Sequence, residues 1–248
     1  MKRVTIVLLS TVFAVLAVPA FAPATQVQVG VTKSPLVSPV CPVGVSASNC
    51  TIVLTQVTAF ETRRDGVKDP TTIKQSGVIS SFSVGLAGTK TITGSDISYL
   101  DKTYGGPPEV QLTALASVGT PGLPSYRVAA QTPVYRVRSQ LGNVAEIPLT
   151  TPLPVVRGEI LALTVPTWAP VLSFDLSTTQ FSYSQSRKHT RVSSGSSCNT
   201  SAGANLAQEM LGELSYYTCV YAGTRVEYSA LEIATPVGLS SAERRRRR

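Results

Sequence analysis

The chain has 248 residues, only 15% of them charged, with 18 glycines and 17 prolines. Its formal charge of +8 sits mainly at the ends: residues 23–243 hold 15 basic and 14 acidic residues. That near-neutral body excludes a basic groove for specific nucleic-acid binding.

Lys2 and Arg3 precede an almost wholly apolar run from Val4 to Val18, followed by Ala20-Phe21-Ala22-Pro23-Ala24. This is the pattern of a secretory signal peptide over 1–24. The run is shorter than the roughly 20 apolar residues that a membrane-spanning helix needs. Cutting after Ala22 would place Pro23 beside the scissile bond, whereas cutting before Thr25 avoids that. The expectation is a secreted, extracellular protein with no transmembrane helix in the mature chain.

Residues 25–50 are rich in Pro, Val and Ser and predict an extended segment closed by a disulfide. An oxidising compartment and four cysteines make disulfides the default. Of the three pairings, Cys41–Cys50 with Cys198–Cys219 is preferred, because short loops close most readily. Metal binding is not expected: there is no C-x-x-C, and His189 is the lone histidine.

One sandwich domain is predicted over 51–237. Ile52–Thr58 predicts a strand, and Arg63-Arg64-Asp65-Gly66 a turn. Val78–Leu86 alternates, with Val78, Ser80, Phe82, Val84 and Leu86 on one face. Gly94–Pro108 reads as a polar loop, and the strand after it places Val110, Leu112, Ala114, Ala116 and Val118 together. Short strands follow at 126–130, 134–137 and 146–149. Ile160–Val165 is an unbroken apolar run, the mark of a strand covered on both faces. Val171–Phe174 is extended, 184–203 is a long polar loop, and Leu206, Met210 and Leu214 predict a short helix within 204–214. Strands at 216–221 and 225–233 end the body, and 238–248 is a disordered Arg-rich tail. Eight to ten short strands with at most one short helix predict an all-β antiparallel sandwich, jelly-roll-like or Greek key.

Two stretches carry a resemblance. Val78-Ile79-Ser80-Ser81-Phe82-Ser83-Val84 is followed downstream by Ile147-Pro148-Leu149-Thr150-Thr151-Pro152-Leu153-Pro154-Val155-Val156-Arg157-Gly158-Glu159-Ile160-Leu161-Ala162-Leu163. Together they resemble a loose group of uncharacterised secreted β-sandwich proteins of actinobacteria, with a "GVI-s-w-x-V" strand and a later "t-x-l-P-V-x-a-G-d-x-I-g-L" strand. Phe82 stands where that pattern has tryptophan, and 184–219 falls outside it. The resemblance implies fold and compartment, and no reaction.

No catalytic constellation is recognisable. His189 has no G-x-S-x-G elbow to serve. Glu159, Asp175, Glu227 and Glu232 show no spacing that marks a glycosidase pair. Asp96 and Asp101 are oxygen ligands without a calcium-loop pattern. The chain is therefore read as noncatalytic, with no cofactor. Trp168, between Pro166 and Pro170, is either a ring exposed for stacking on a sugar or a plug between sheets. Tyr216, Tyr217 and Tyr221 form a second aromatic cluster open to the same two readings. Arg244, Arg245, Arg246, Arg247 and Arg248 offer nonspecific contact to a polyanion or simply a solvated tail. The leading expectation is a binding or envelope-associated protein whose partner is a cell-envelope polymer or carbohydrate. The alternatives are a carboxylate-dependent hydrolase acting on glycans and a structural surface protein with no small ligand.

Overall fold

The computed structural model describes residues 25–46, 49–119, 123–188 and 204–235. The signal stretch, His189, Cys198 and the arginine tail lie outside these residues, and with them the Cys198–Cys219 pairing.

In chain order the strands are β1 (Thr25–Val29), β2 (Leu54–Arg64), β3 (Val67–Lys68), β4 (Gly77–Gly85), β5 (Glu109–Ser117), β6 (Ser125–Gln131), β7 (Tyr135–Arg136) and β8 (Val144–Val155). There follow β9 (Ile160–Ala169), β10 (Leu172–Ser173), β11 (Ser182–Gln185), β12 (Leu214–Tyr216), β13 (Val220–Ala222), β14 (Arg225–Val226) and β15 (Tyr228–Ala234). The helix α1 (Gly94–Tyr104) lies between β4 and β5. The fold is all-β, antiparallel and sandwich-like.

A four-stranded sheet runs β1-β15-β4-β8, and a larger one runs β12-β6-β5-β9-β2-β11-β13. Alternation gives each strand of the larger sheet two faces. Val57, Ala59, Leu112, Ala114, Leu161 and Leu163 point at the smaller sheet and meet Ile79, Phe82, Val84 and Leu153 in the main core. The intervening residues face the other way and are buried as well. Phe60, Leu115, Val128, Ile160, Ala162 and Tyr217 form a second cluster there. Burial on both sides is what the unbroken apolar run of β9 predicts.

The second cluster exists because the larger sheet curls. Arg187, just past β11, exchanges backbone hydrogen bonds with Tyr216 of β12 (2.9 and 3.3 Å). Six strands, from β12 round to β11, thus make a closed circuit. Inside it Thr164 Oγ1 lies 2.8 Å from Thr58 Oγ1 and 2.7 Å from Thr113 Oγ1. Gln208 donates its N–H to Thr58 (2.9 Å) and its side-chain amide to the carbonyls of Tyr126 and Glu213. Such pairing lets buried polar groups persist.

Several local expectations change. Residues 204–209 are extended rather than helical, because Gln208 is threaded into that hydroxyl network and Gly212 takes a positive φ. The polar stretch from Gly94 is helical instead. Thr93 caps it through a reciprocal box with Asp96, and Gly105 ends it in the left-handed conformation. The face of β4 shifts at Ser80, which is skipped in the pairing with both β8 and β15. That bulge buries Ile79 in place of Val78. β8 runs through Pro148, Pro152 and Pro154 because it is an edge strand, where missing N–H groups cost nothing. The extended reading of 25–50 gives way to a true strand at Thr25–Val29, paired with β15. The Asp65-Gly66 turn joins β2 to β3, with both residues at positive φ (50° and 78°), as a two-residue hairpin of type I′ demands.

After β1 the chain crosses the body as a strap. Val37 lies so close to β4 that a Cβ on Gly85 would sit 1.9 Å from its carbonyl oxygen. Asp65 accepts from Thr32 Oγ1 (2.5 Å) and from the N–H and hydroxyl of Ser34 (2.7 and 2.6 Å). Burial pushes that carboxyl up, but these bonds outweigh it and hold it below its usual range. The strap ends in the Cys41–Cys50 disulfide, with Cα atoms 5.6 Å apart. Closing a loop of this length contributes about 2.5 kcal/mol in the chain-entropy picture. Among the described residues no helix is long and apolar enough to cross a membrane.

Candidate functional site

Trp168 is fully buried. The prolines beside it do not prevent pairing: Trp168 stands opposite Thr55 within β9. Its ring packs with Ile52, Ala87 and Ile92 and with the Ile97, Leu100 and Tyr104 face of α1. Its Nε1 donates to Asp101 Oδ1 and to the Gly106 carbonyl, both at 3.1 Å. It is a plug that docks the helix, so the exposed stacking ring is ruled out for this residue. Asp101 also pairs with Arg138, and Asp96 is spent on the helix cap, which lowers its pKa. Neither is placed as a loop ligand for calcium.

The tyrosine cluster divides. Tyr217 lies inside the strand circuit, 4.9 Å from Phe60 and 5.3 Å from Tyr126 between ring centroids, with its hydroxyl on Gln208. Tyr216 is half-buried on β12, between Ser125 and Arg187. Only Tyr221 faces a hollow.

The four acids separate too. Glu159 accepts the Val156 N–H in the turn before β9 (2.8 Å). Glu232 is buried on β15, opposite Val27 and Ile79. Glu227 is fully buried, 3.0 Å from Arg225 and 4.0 Å from Arg64. It also accepts from Ser173 Oγ (2.7 Å) and the Val37 N–H (3.3 Å). Arg64 sits 3.6 Å from a further buried carboxylate, Glu61, and donates to the carbonyls of Gly30 and Tyr228. Arg225 donates to the Pro35 carbonyl (2.7 Å). Two cations and two carboxylates thus fasten the strap onto β2 and β14. Nothing in the local sequence pattern shows that Arg64 and Arg225 converge on Glu227. Of the four acids only Asp175 borders one of the hollows described below.

The central hollow, about 660 Å³, lies beside β11 and β13. Tyr183, Gln185 and Arg187 follow at spacing two, the period that turns alternate strand residues to one side. Tyr183 is register partner to Tyr221, and that cross-strand placement stacks the rings at 4.9 Å and 18°. Arg187 lies over the Tyr221 ring, 6.0 Å from Cζ to centroid, and donates to its hydroxyl. Gln185 donates to Asn205 Oδ1 (3.0 Å), and Asn205 to the Thr55 carbonyl (3.4 Å). Phe174 closes one side. Burial pushes the Tyr183 phenol well up, so it stays protonated as a donor.

The lining of this hollow is mixed. Thr51, Thr55, Thr224, Gln185 and Asn205 are its uncharged polar residues, the half-buried rings of Phe174 and Tyr221 border it, and Val53, Leu54, Leu172 and Ala204 add apolar wall. Arg187 is its one charged group among the described residues, and no carboxylate lines it. Amides plus flat ring faces suit a neutral, polyhydroxylated ligand. Sequence analysis names Tyr221 but not Tyr183, Gln185 or Asn205: Gln185 falls in the stretch read as a polar loop, Asn205 in the stretch read as a short helix, and Tyr183 in no predicted element. The Tyr183-x-Gln185-x-Arg187 alternation was the available signal. Comparison with known protein families, characterised proteins and solved structures finds no match to this chain.

Proposed function

We propose that this is an exported, noncatalytic β-sandwich protein that binds carbohydrate in the hollow beside β11 and β13. The observation that carries the reading is the Tyr183–Tyr221 ring pair set among the amides of Gln185 and Asn205, without a carboxylate. Binding sites of this size combine ring faces with a few placed polar groups. Glycoside hydrolysis needs two facing acids, and the described residues lining the hollow include no carboxylate.

Export rests on the signal pattern of residues 1–24, on the Cys41–Cys50 bridge and on the resemblance to secreted actinobacterial sandwich proteins. Protein collected from the medium of a Gram-positive host is expected to begin at Thr25 by intact mass. Retention of the full-length chain inside the cells would overturn export.

Binding is tested by isothermal titration against glucose, N-acetylglucosamine, mannose and their oligomers. Asn205→Ala is expected to weaken the best of these about five- to tenfold, the worth of one or two polar contacts. Equal affinity of Asn205→Ala and wild type, at unchanged melting temperature, would take the site out of this hollow.

A further inference from the structure

The central hollow does not end at its own walls. Phe174 and Thr224 also line a second hollow of about 640 Å³, between the disulfide loop and the β10–β11 connection. Asn205 also lines a third, of about 330 Å³. The central hollow therefore shares wall residues with each of the other two.

Their chemistry continues as well. The second hollow presents Ser46, Asn49 and Thr178, and the third presents Gln56 and Lys188. Gln56 is held at φ +47° by a bulge in β2 between Thr55 and Val57. A non-glycine residue in the left-handed region is strained, and here the bulge sets Gln56 on the margin of the third hollow. Two acids, Glu209 and Glu213, border that hollow. Glu213 Oε2 accepts from the N–H groups of Glu209 and Met210 at 2.7 and 3.1 Å, which ties that carboxylate to its own turn, while burial and the neighbouring Glu213 raise Glu209.

We infer that the three hollows form one groove for a linear polysaccharide, holding several consecutive sugar units, with the Tyr221 and Phe174 rings at its centre. A single sugar fills only the middle, whereas a chain also reaches the amides and hydroxyls at either side. A nucleic acid is disfavoured by the absence of a stripe of cations among the described lining residues. The inference rests on the reading of the central hollow as a saccharide site.

The test compares the free sugar with its hexamer for β-1,4-glucose, β-1,4-N-acetylglucosamine, α-1,4-glucose and α-1,6-mannose. The protein is the complete mature chain. At least one hexamer is expected to bind about tenfold or more tighter than its monomer, since each outer subsite adding one net hydrogen bond contributes a factor of about five. Thr178→Trp, filling the second hollow, and Met210→Trp, filling the third, are each expected to lower the hexamer-to-monomer ratio. Together they should bring it to about one. Both sites are exposed, and melting temperature monitors folding. Equal affinity for monomer and hexamer in the wild type overturns the groove while leaving the central site standing. A length advantage untouched by both substitutions also overturns it. No binding by any sugar of any length overturns both readings.

Discussion

Trp168→Ala is expected to lose about 3–5 kcal/mol of unfolding free energy, the cost of emptying a large aromatic site in a packed interior. Trp168 is 0% exposed and is the only tryptophan. Its removal opens a cavity between β9 and α1 and strips the Nε1 donor from Asp101 and from the Gly106 carbonyl. The helix has no fully buried residue of its own, so the ring is its main attachment. The expected sequence of events in urea is an early loss of helical circular dichroism, then global unfolding at reduced denaturant. Trp168→Phe retains much of the volume without the N–H and should lie between wild type and alanine. A loss below about 1 kcal/mol for Trp168→Ala would contradict the burial, since that is the range of surface substitutions. Phe174 packs against the same cluster, so sugar affinity is expected to weaken in parallel with the packing. The tryptophan itself touches no ligand.

Stability is expected to fall as pH rises from about 4.5 to about 7. Burial pushes Glu227 from 4.5 up to about 7, with Ser173, Arg64 and the Val37 N–H pulling it back down. Burial likewise raises Glu61, opposed by Arg64 and reinforced by Glu227. Arg225 faces Glu227 from β14 at 3.0 Å. A carboxyl whose folded pKa is raised binds its proton more tightly in the folded state. The folded form then gains stability at low pH and loses it as pH climbs through the window between the two values. One group shifted from 4.5 to about 7 accounts for about 3 kcal/mol over that interval. Asp65 and Asp96 have lowered values, so their contribution disappears only at more acid pH. Melting temperature is therefore expected to be higher at pH 5 than at pH 7.5, and Glu227→Gln should flatten that slope. A flat wild-type profile, or an unchanged slope in Glu227→Gln, would refute the assignment. Arg64→Met is expected to cost about 3–5 kcal/mol at pH 7.5 and less at pH 5, because it leaves buried Glu61 without its cation, and Glu227 with Arg225 alone, only where they are ionised.

What the sequence disclosed and what it withheld divide along a physical line. The alternation of Val110, Leu112 and Ala114 in β5 and the double-sided burial of β9 are properties of single strands, and both are legible; past the irregularity at Ala114/Leu115 the alternation fails, with Leu115 buried, Ala116 half-buried and Val118 exposed. The Asp65-Gly66 turn is local and legible for the same reason. The Ser80 bulge depends on pairing with β8 and β15 together, so alternation alone chose Val78 where Ile79 is buried. The helix at Gly94–Tyr104 has a capping box and a terminal glycine in plain view. Its apolar side is thin, Ile97, Leu100 and Tyr104, and hydrophobic periodicity passes over it. Conversely, Leu206, Met210 and Leu214 have helical spacing, yet Met210 is 65% exposed and Leu214 is 38% exposed. Their segment is committed to Gln208 and the threonines of distant strands. The candidate site is non-local throughout: its rings come from β11 and β13, its amides from β11 and from residue 205.

The closed strand circuit has a consequence for self-association. An open sheet presents unpaired backbone that recruits further strands. The Arg187–Tyr216 bridge returns six strands upon themselves, leaving the three-residue β13 as the end of that path. The smaller sheet keeps a long margin in β8, but Pro148, Pro152 and Pro154 remove three donors from it. Along these two margins the sheets are poor templates for fibril growth; the other edge of the smaller sheet is the five-residue β1. Replacing those prolines by valine would turn β8 into a sticky border, with little change to the fold it borders.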